Sequence, residues 1–308
     1  MTLDKKKAAP DTDVEIEYHA DDFGLFPAQS QRILDCQEKG CLNGVSVMPN
    51  SPFLPSAMAW LEGKNMAVTI HLNIIEGRCL CPPRDIPLLV DRDGVFRVGF
   101  GQLLLRSFLP GRNTFRAQLR KELRAQITAV AACYPAGTSL RLDGHAHYHM
   151  LPVVFDALMD VLREENWPVS YIRIPREYPL LYLRHWRELQ DFAPINLAKV
   201  LILNLLAWRN QRKYQDYLSK LEQKVFLGVF LSGRMYRENV ERILPDAMAL
   251  AKKKKQNLEL LAHPGGVYEE ADTALLTNQQ DMAFLTSDAR NREADMYRFL
   301  KSNVKKPS

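Results

Sequence analysis

Short apolar runs along the chain alternate with longer stretches in which apolar residues recur every three or four positions. The short runs predict strands at 14–19 (VEIEYH), 44–48 (GVSVM), 67–72 (AVTIHL), 140–142 (LRL), 170–174 (SYIRI), 226–231 (FLGVFL) and 258–262 (LELLA). Helical spacing falls between them, at 28–39, 55–63, 114–133, 152–166, 181–220, 236–256 and 278–287. Repeated strand–helix alternation predicts parallel strands joined by helical crossovers, in a barrel or an open sheet. No Pro/Gly/Ser-rich linker divides the pattern. One domain is therefore expected over 13–301, with frayed polar tails at 1–12 and 302–308.

The most apolar stretch is INLAKVLILNLLAW (195–208), with Lys199 inside it and Arg209, Arg212 and Lys213 after it. It is too short to cross a bilayer. A buried helix is the expectation; a lid or a helix lying on a membrane surface are the other readings. The composition is that of a globular chain with a large core, 46% hydrophobic and 25% charged in 308 residues. The net charge of +5 is mild, and Lys and Arg are mixed with Asp and Glu. The run Lys252–Lys255 ends a helical pattern, where the helix dipole favours cations, so no nucleic-acid partner is expected. The five cysteines (Cys36, Cys41, Cys79, Cys81, Cys133) are odd in number and irregularly spaced, behind a polar N-terminus. Reduced thiols and a cytoplasmic location are expected.

The titratable residues fall in a pattern that changes the picture. His19, Asp21 and Asp22 end the first predicted strand and His71 the third. Asp143, His145, His147 and His149 follow the fourth, and His263 follows the last, so only His185 of the seven histidines lies elsewhere. In a parallel α/β fold the C-terminal strand tips share one face, and active sites are built there. Taken singly, Asp21 or Asp22 can cap a helix or serve a turn, and His71 can be a satisfied core histidine. The segment DGHAHYH (143–149), if extended, sets three imidazoles on one face, which suits a metal, a proton relay or substrate contacts. Together, one carboxylate and two imidazoles make a divalent-metal site that polarises a carbonyl and acidifies a water. The second acid is then free to take a proton, and a histidine from another strand to give one.

The motifs HADDFG (19–24), IHL (70–72), DGHAHYHMLP (143–152), RIPRE (173–177) and LAHPG (261–265) resemble, in order, those of the YdjC-like carbohydrate deacetylases, which include chitooligosaccharide deacetylases. The resemblance implies a deformed (β/α) barrel of the polysaccharide-deacetylase kind, resembling a TIM barrel, and metal-dependent removal of acetyl groups from N-acetylated sugars. Carried over by motif, Asp22, His71 and His145 match the metal ligands, Asp21 the general base and His263 the general acid. His147, His149 and Asp143 match positions behind the ligands or against substrate. Arg173 and Arg176 match an arginine segment that orients Asp21 or grips a sugar. His149 is the second choice for the ligand taken from the HAHYH run. The implied cofactor is one divalent ion, magnesium or zinc. The helical insertion at about 178–225, with FLGVFLSG (226–233), is similar to the branch associated with hopanoid biosynthesis, which implies a glycolipid substrate; it also suits a lid or a homodimer surface. Two other classes stay open. One is a different HxH metallohydrolase, an amidohydrolase or phosphoesterase, although those place HxH on the first strand. The other is a non-catalytic metal or sugar binder, for which an intact Asp21 and His263 would have no use.

Overall fold

The structure is a computed structural model and describes residues 14–191, 193–266 and 285–304. Seven strands are described: β1 (Ile16–Phe23), β2 (Gly44–Val47), β3 (Ala67–Leu72), β4 (Leu140–Gly144), β5 (Val169–Ile172), β6 (Lys224–Leu227) and β7 (Asn257–Ala262). They form one parallel sheet in the order β5-β4-β3-β2-β1-β7-β6. The sheet curls until its two edges nearly meet. The Glu222 N–H donates to Ser170 O at 2.9 Å, and Tyr171 bridges Glu222 beside it. The fold is thus an α/β deformed barrel, and both faces of β1 are buried from Tyr18 to Phe23, as a sheet covered on both sides requires.

The helices on its outside are α1 (Pro27–Glu38), α2 (Leu54–Leu61), α3 (Phe100–Arg106), α4 (Arg112–Ala131), α5 (Pro152–Glu165), α6 (Pro179–Leu183), α7 (Pro194–Lys213), α8 (Gln215–Leu218), α9 (Arg237–Lys254) and α10 (Ala289–Val304). Proline occupies the first turn of α1, α2, α5, α6 and α7, where its fixed φ suits the helix and its missing N–H costs no bond. One core joins the sheet to most of these helices, with Phe115, Leu119, Leu123 and Ile127 of α4 fully buried.

Several elements differ from expectation. The continuous helix expected at 181–220 is three helices, α6, α7 and α8. The strand expected at 226–231 stops at Leu227. Beyond it the N–H groups of Gly228, Val229 and Phe230 donate to the buried Glu177 carboxylate at 2.6, 2.6 and 2.9 Å, so none is left for a strand partner. Helices α3 and α10 have no counterpart in the predicted pattern. The helix expected at 278–287 lies mostly outside the described residues, as does the tail at 1–12. At the other end α10 runs to Val304, and 305–308 lie outside. The apolar stretch 195–208 is buried on one side only: Val200, Leu203, Leu206 and Ala207 face the core, whereas Leu201, Leu205 and Trp208 are exposed.

Candidate metal centre at the strand tips

Adjacent residues of a regular strand point to opposite faces, so Asp21 and Asp22 would ordinarily diverge. Here β1 bulges between Ala20 and Phe23, and Asp22 takes a left-handed backbone, φ 66°. Bulges re-aim side chains, and a non-glycine residue in this region is strained unless its surroundings hold it. As a result both carboxylates reach one atom of β3: His71 Nε2 lies 3.5 Å from Asp22 Oδ1 and 4.0 Å from Asp21 Oδ2.

His71 is fully buried, and its Nδ1 lies 2.7 Å from Asp143 Oδ1 on the neighbouring strand β4. Asp143 is held ionised, because Arg173 and His71 outweigh the cost of burial and keep its pKa far below the usual carboxylate range. The tautomer that satisfies this bond carries its N–H on Nδ1. That leaves a lone pair on Nε2, which is buried and has no hydrogen-bond partner. His145 is turned the other way. Its Nδ1 lies 2.9 Å from Asp22 Oδ1, and its Nε2 lies 3.2 Å from Glu76 Oε1. Glu76 is presented by an Asn73 turn, in which the Ile75 and Glu76 N–H groups donate to Asn73 Oδ1 at 3.1 Å each. Asp143 and Glu76 thus fix opposite nitrogens of the two rings.

Ligand atoms of Asp22, His71 and His145 all lie within 4.8 Å of one another. Two imidazole nitrogens and a carboxylate aimed at one point need a positive charge between them. Burial opposes charge on His71, yet Asp143 and Asp21 push its pKa up to about 9. Burial likewise opposes charge on His145, yet Asp22 and Glu76 hold its pKa well above the ordinary value. Asp22 stays ionised despite its burial, through His145 first and then His71. A divalent cation meets that need, and the donor set suits one. Two other groupings, His19–Asp21–Asp143 and Glu17–His19–Glu259, are equally compact but already neutralised. Arg173 pairs with Asp21, Asp143 and Glu259, while Arg141 and Lys224 pair with Glu17. His19 bonds Glu17 and Ser46.

Asp21 accepts from Arg173 Nη1 at 2.9 and 3.0 Å, and that guanidinium overcomes burial to keep the carboxyl below its usual range. Arg173 itself is fully buried over the Phe226 ring. His263 follows β7, whose Ala262 pairs with Ala20, so its backbone lies beside the Asp21 tip. The His263 N–H is pinned by Glu293 of α10 at 2.6 Å.

The HAHYH run is not extended, so its three rings do not share a face. It winds into a 3-10 turn, His145–Met150, with Ala146 and His147 left-handed. His149 turns inward, where its Nε2 donates to Arg173 O at 2.8 Å and its ring fills the space beside Gly144. A Cβ at Gly144 would stand 2.8 Å from His149 Cβ, so the bare glycine makes room for this strut. His147 packs edge-on against Phe226 and His149; burial first and Arg173 next hold its pKa well below the ordinary value, so it is neutral. Neither ring joins the Asp22 grouping. Arg176 is not brought to the centre either. It is exposed over the Tyr178 ring and lines a polar cavity of about 100 Å³ with Lys254 and Glu222.

Sequence reasoning missed Glu76, Ser46, Glu259 and Arg290. Arg290 Nη2 lies 3.9 Å from Asp22 Oδ2, and Nη1 donates to Gly265 O at 2.9 Å. Glu259 was legible as a charged residue inside an apolar strand, LELLA, where an acid is costly unless paired. Nothing in the sequence marked the other three.

Comparison with known proteins agrees with this picture. A family model described as YdjC-like protein matches residues 16–305. A carbohydrate deacetylase of Danio rerio is 27% identical over 245 residues, 76% of this chain and 71% of that protein. One of Xenopus laevis is 28% identical over 171 residues, 55% of this chain and 54% of that one, so the match takes in about half that relative's length. A solved structure from Enterococcus faecalis V583, a proposed cellobiose-phosphate cleavage protein, superposes with a TM-score of 0.63 over 93% of this chain and 91% of that one. At 17% identity it shows the shared fold alone.

Proposed function

The chain belongs to the YdjC-like protein family, and from that premise we propose that it is a metal-dependent hydrolase releasing acetate from an N-acetylated sugar. The carrying observation is the buried, unpartnered Nε2 of His71, aimed at Asp22 with Asp21 next to it. Asp22, His71 and His145 would hold the cation, which when bound polarises the amide carbonyl and acidifies water. Asp143 and Glu76 keep the two imidazoles in the tautomers that present lone pairs. Asp21, unprotonated and clamped by Arg173, takes the proton of the attacking water at a free carboxylate lone pair. His263, on the adjacent strand tip, gives a proton to the departing amine nitrogen, so that acetate and a free amino sugar leave. Packed His147 and His149 hold the turn that carries His145.

A finer alternative, N-deacetylation of a hopanoid-linked or other lipid-linked amino sugar, is favoured by one observation, the exposed apolar side of α7. Acetate release would be followed on N-acetylglucosamine, chitobiose and an N-acetylglucosaminyl lipid, with protein stripped of metal and then resupplied with magnesium or zinc. Metal-dependent acetate from a sugar is expected, and the preferred acceptor separates the two substrate classes. Phosphate from an ester with no acetate from any sugar would refute the reading.

A further inference from the structure

Helix α7 is apolar on two sides. Its inner side packs on the barrel through Val200, Leu203, Leu206 and Ala207. Its outer side carries Ile195, Leu201, Ile202, Leu205 and Trp208, with Leu205 64% and Trp208 56% exposed. These positions fall on one arc at helical spacing, where a solvated helix carries polar residues. The surface helix α9 of this same chain does so, with Glu238, Glu241 and Arg242 outward. The turn at α6 adds Leu180, Leu183 and Trp186, and Trp186 is 62% exposed. Tyr182 of α6 stacks on Phe230 at 4.0 Å, and Asn196 of α7 donates to the Phe230 carbonyl, so the two patches adjoin.

Charge tells which occupant fits. From Pro194 to Tyr214 there is no Asp or Glu. Lys199 and Arg212 are exposed, Arg212 lies over the Trp208 ring, and Arg187 over the Trp186 ring. Tryptophan and leucine interleaved with cations that make no ion pair among the described residues match a lipid interface, where rings sit at headgroup depth and basic side chains reach anionic headgroups. A second copy docked on α7 would instead set the cations of that helix against each other, with no carboxylate of the helix between them.

Three asparagines tie the helix to segments that lead away from the candidate metal centre. Asn210 donates to Met150 O, at the end of the turn carrying His145; Asn204 donates to Glu177 O, four residues beyond Arg173; and Asn196 reaches the loop after β6. The helix therefore straps the tips of β4, β5 and β6. We propose that the outward face of α7, with the α6 turn, docks on an anionic lipid bilayer and so holds the mouth of the site against the headgroup layer.

The test is co-sedimentation of the full chain with vesicles of phosphatidylcholine, alone or mixed with phosphatidylglycerol. The chain is expected to pellet with the mixed vesicles and less with phosphatidylcholine alone. Leu205→Glu with Trp208→Glu should lower the partition coefficient at least about tenfold, with unchanged circular dichroism and unchanged acetate release from soluble chitobiose. Arg212→Glu should weaken binding to the mixed vesicles alone. A wild-type chain that stays in the supernatant, or a double variant that pellets like wild type, would overturn the proposal. So would a dimer that the double variant makes monomeric while neither form binds vesicles. Vesicle binding needs no turnover, so its failure is separable from failure of the deacetylase reading.

Discussion

Two adjacent acids at a strand end are useful only if they do different things, and the bulge at Asp21–Asp22 is what separates them. Asp22 faces the two imidazoles, and Asp21 faces Arg173. Asp21→Asn should therefore cut turnover by about 10²–10⁴-fold while leaving cation binding nearly intact, and His71→Ala should remove both. Acetate release and bound-metal content, measured on the same samples, check the pair. Near-full activity in the Asp21 variant would exclude it as the proton acceptor. Glu76 can be tested by its hydrogen bond alone. Glu76→Ala leaves the His145 Nε2–H unpaired and frees the ring to turn, so cation affinity by calorimetry should fall about tenfold. Glu76→Gln still offers an oxygen acceptor and should keep most of that affinity. Equal losses in both variants would mean that charge, not ring orientation, is what Glu76 supplies. The sequence displayed Asp21, Asp22, His71 and His145 by their places after strands, but not the bulge, which has no glycine to announce it. Glu76 was hidden because it sits five residues beyond His71, in a loop whose path Asn73 dictates.

At the level of elements, the seven strands were legible because parallel strands buried on both faces read as apolar runs bounded by polar turns. Helix α10 was not, since two inward positions are Arg290 and Glu293 rather than apolar residues, and their partners, Gly265 and His263, lie far away in sequence. The turn at 145–150 was misread as extended because alternate histidines mimic strand periodicity. Helix α7 was legible as a helix, but its two apolar sides concealed which one is buried. Its C-terminal end is tied to α5 through Asp156, which accepts from Arg209, Lys213 and Tyr214 at 2.8–2.9 Å. Burial raises the Asp156 pKa, but these donors bring it down to about 2. A depressed folded-state pKa stabilises above the unfolded value of about 4 and loses that contribution as pH falls towards 2. Allowing for solvent around Arg209 and Lys213, Asp156→Asn should cost on the order of 1 kcal/mol at pH 7. By urea unfolding, that gap should shrink to roughly half at pH 3. A gap independent of pH would show that the anchor is packing rather than charge.

On the scale of the whole molecule, the curled sheet brings together buried carboxylates from three strands: Asp21 and Asp22 from β1, Asp143 from β4, and Glu259 from β7, the neighbour of β1. Arg173, from the tip of β5, neutralises Asp21, Asp143 and Glu259 together. Asp22 lies outside that network, and the nearest guanidinium, Arg290, stands 3.9 Å away. Its partners are imidazoles, whose positive charge has to come from bound protons or from a cation. A cation that binds the folded chain and not the unfolded one shifts the folding equilibrium by mass action. At a hundredfold excess over its dissociation constant the gain is about 2.7 kcal/mol, which for a domain of this size raises the thermal midpoint by about 4 °C. Adding magnesium or zinc to chelator-treated protein should produce that rise at neutral pH. The rise should weaken as the solution is acidified, because protons compete for His71 and His145, which the surrounding carboxylates make unusually basic. Asp21→Asn should keep the rise, and His71→Ala should abolish it. A midpoint indifferent to chelator in the wild-type chain would mean that protons alone satisfy the cluster, and the tips of β1, β3 and β4 would then lack the charge that hydrolysis needs.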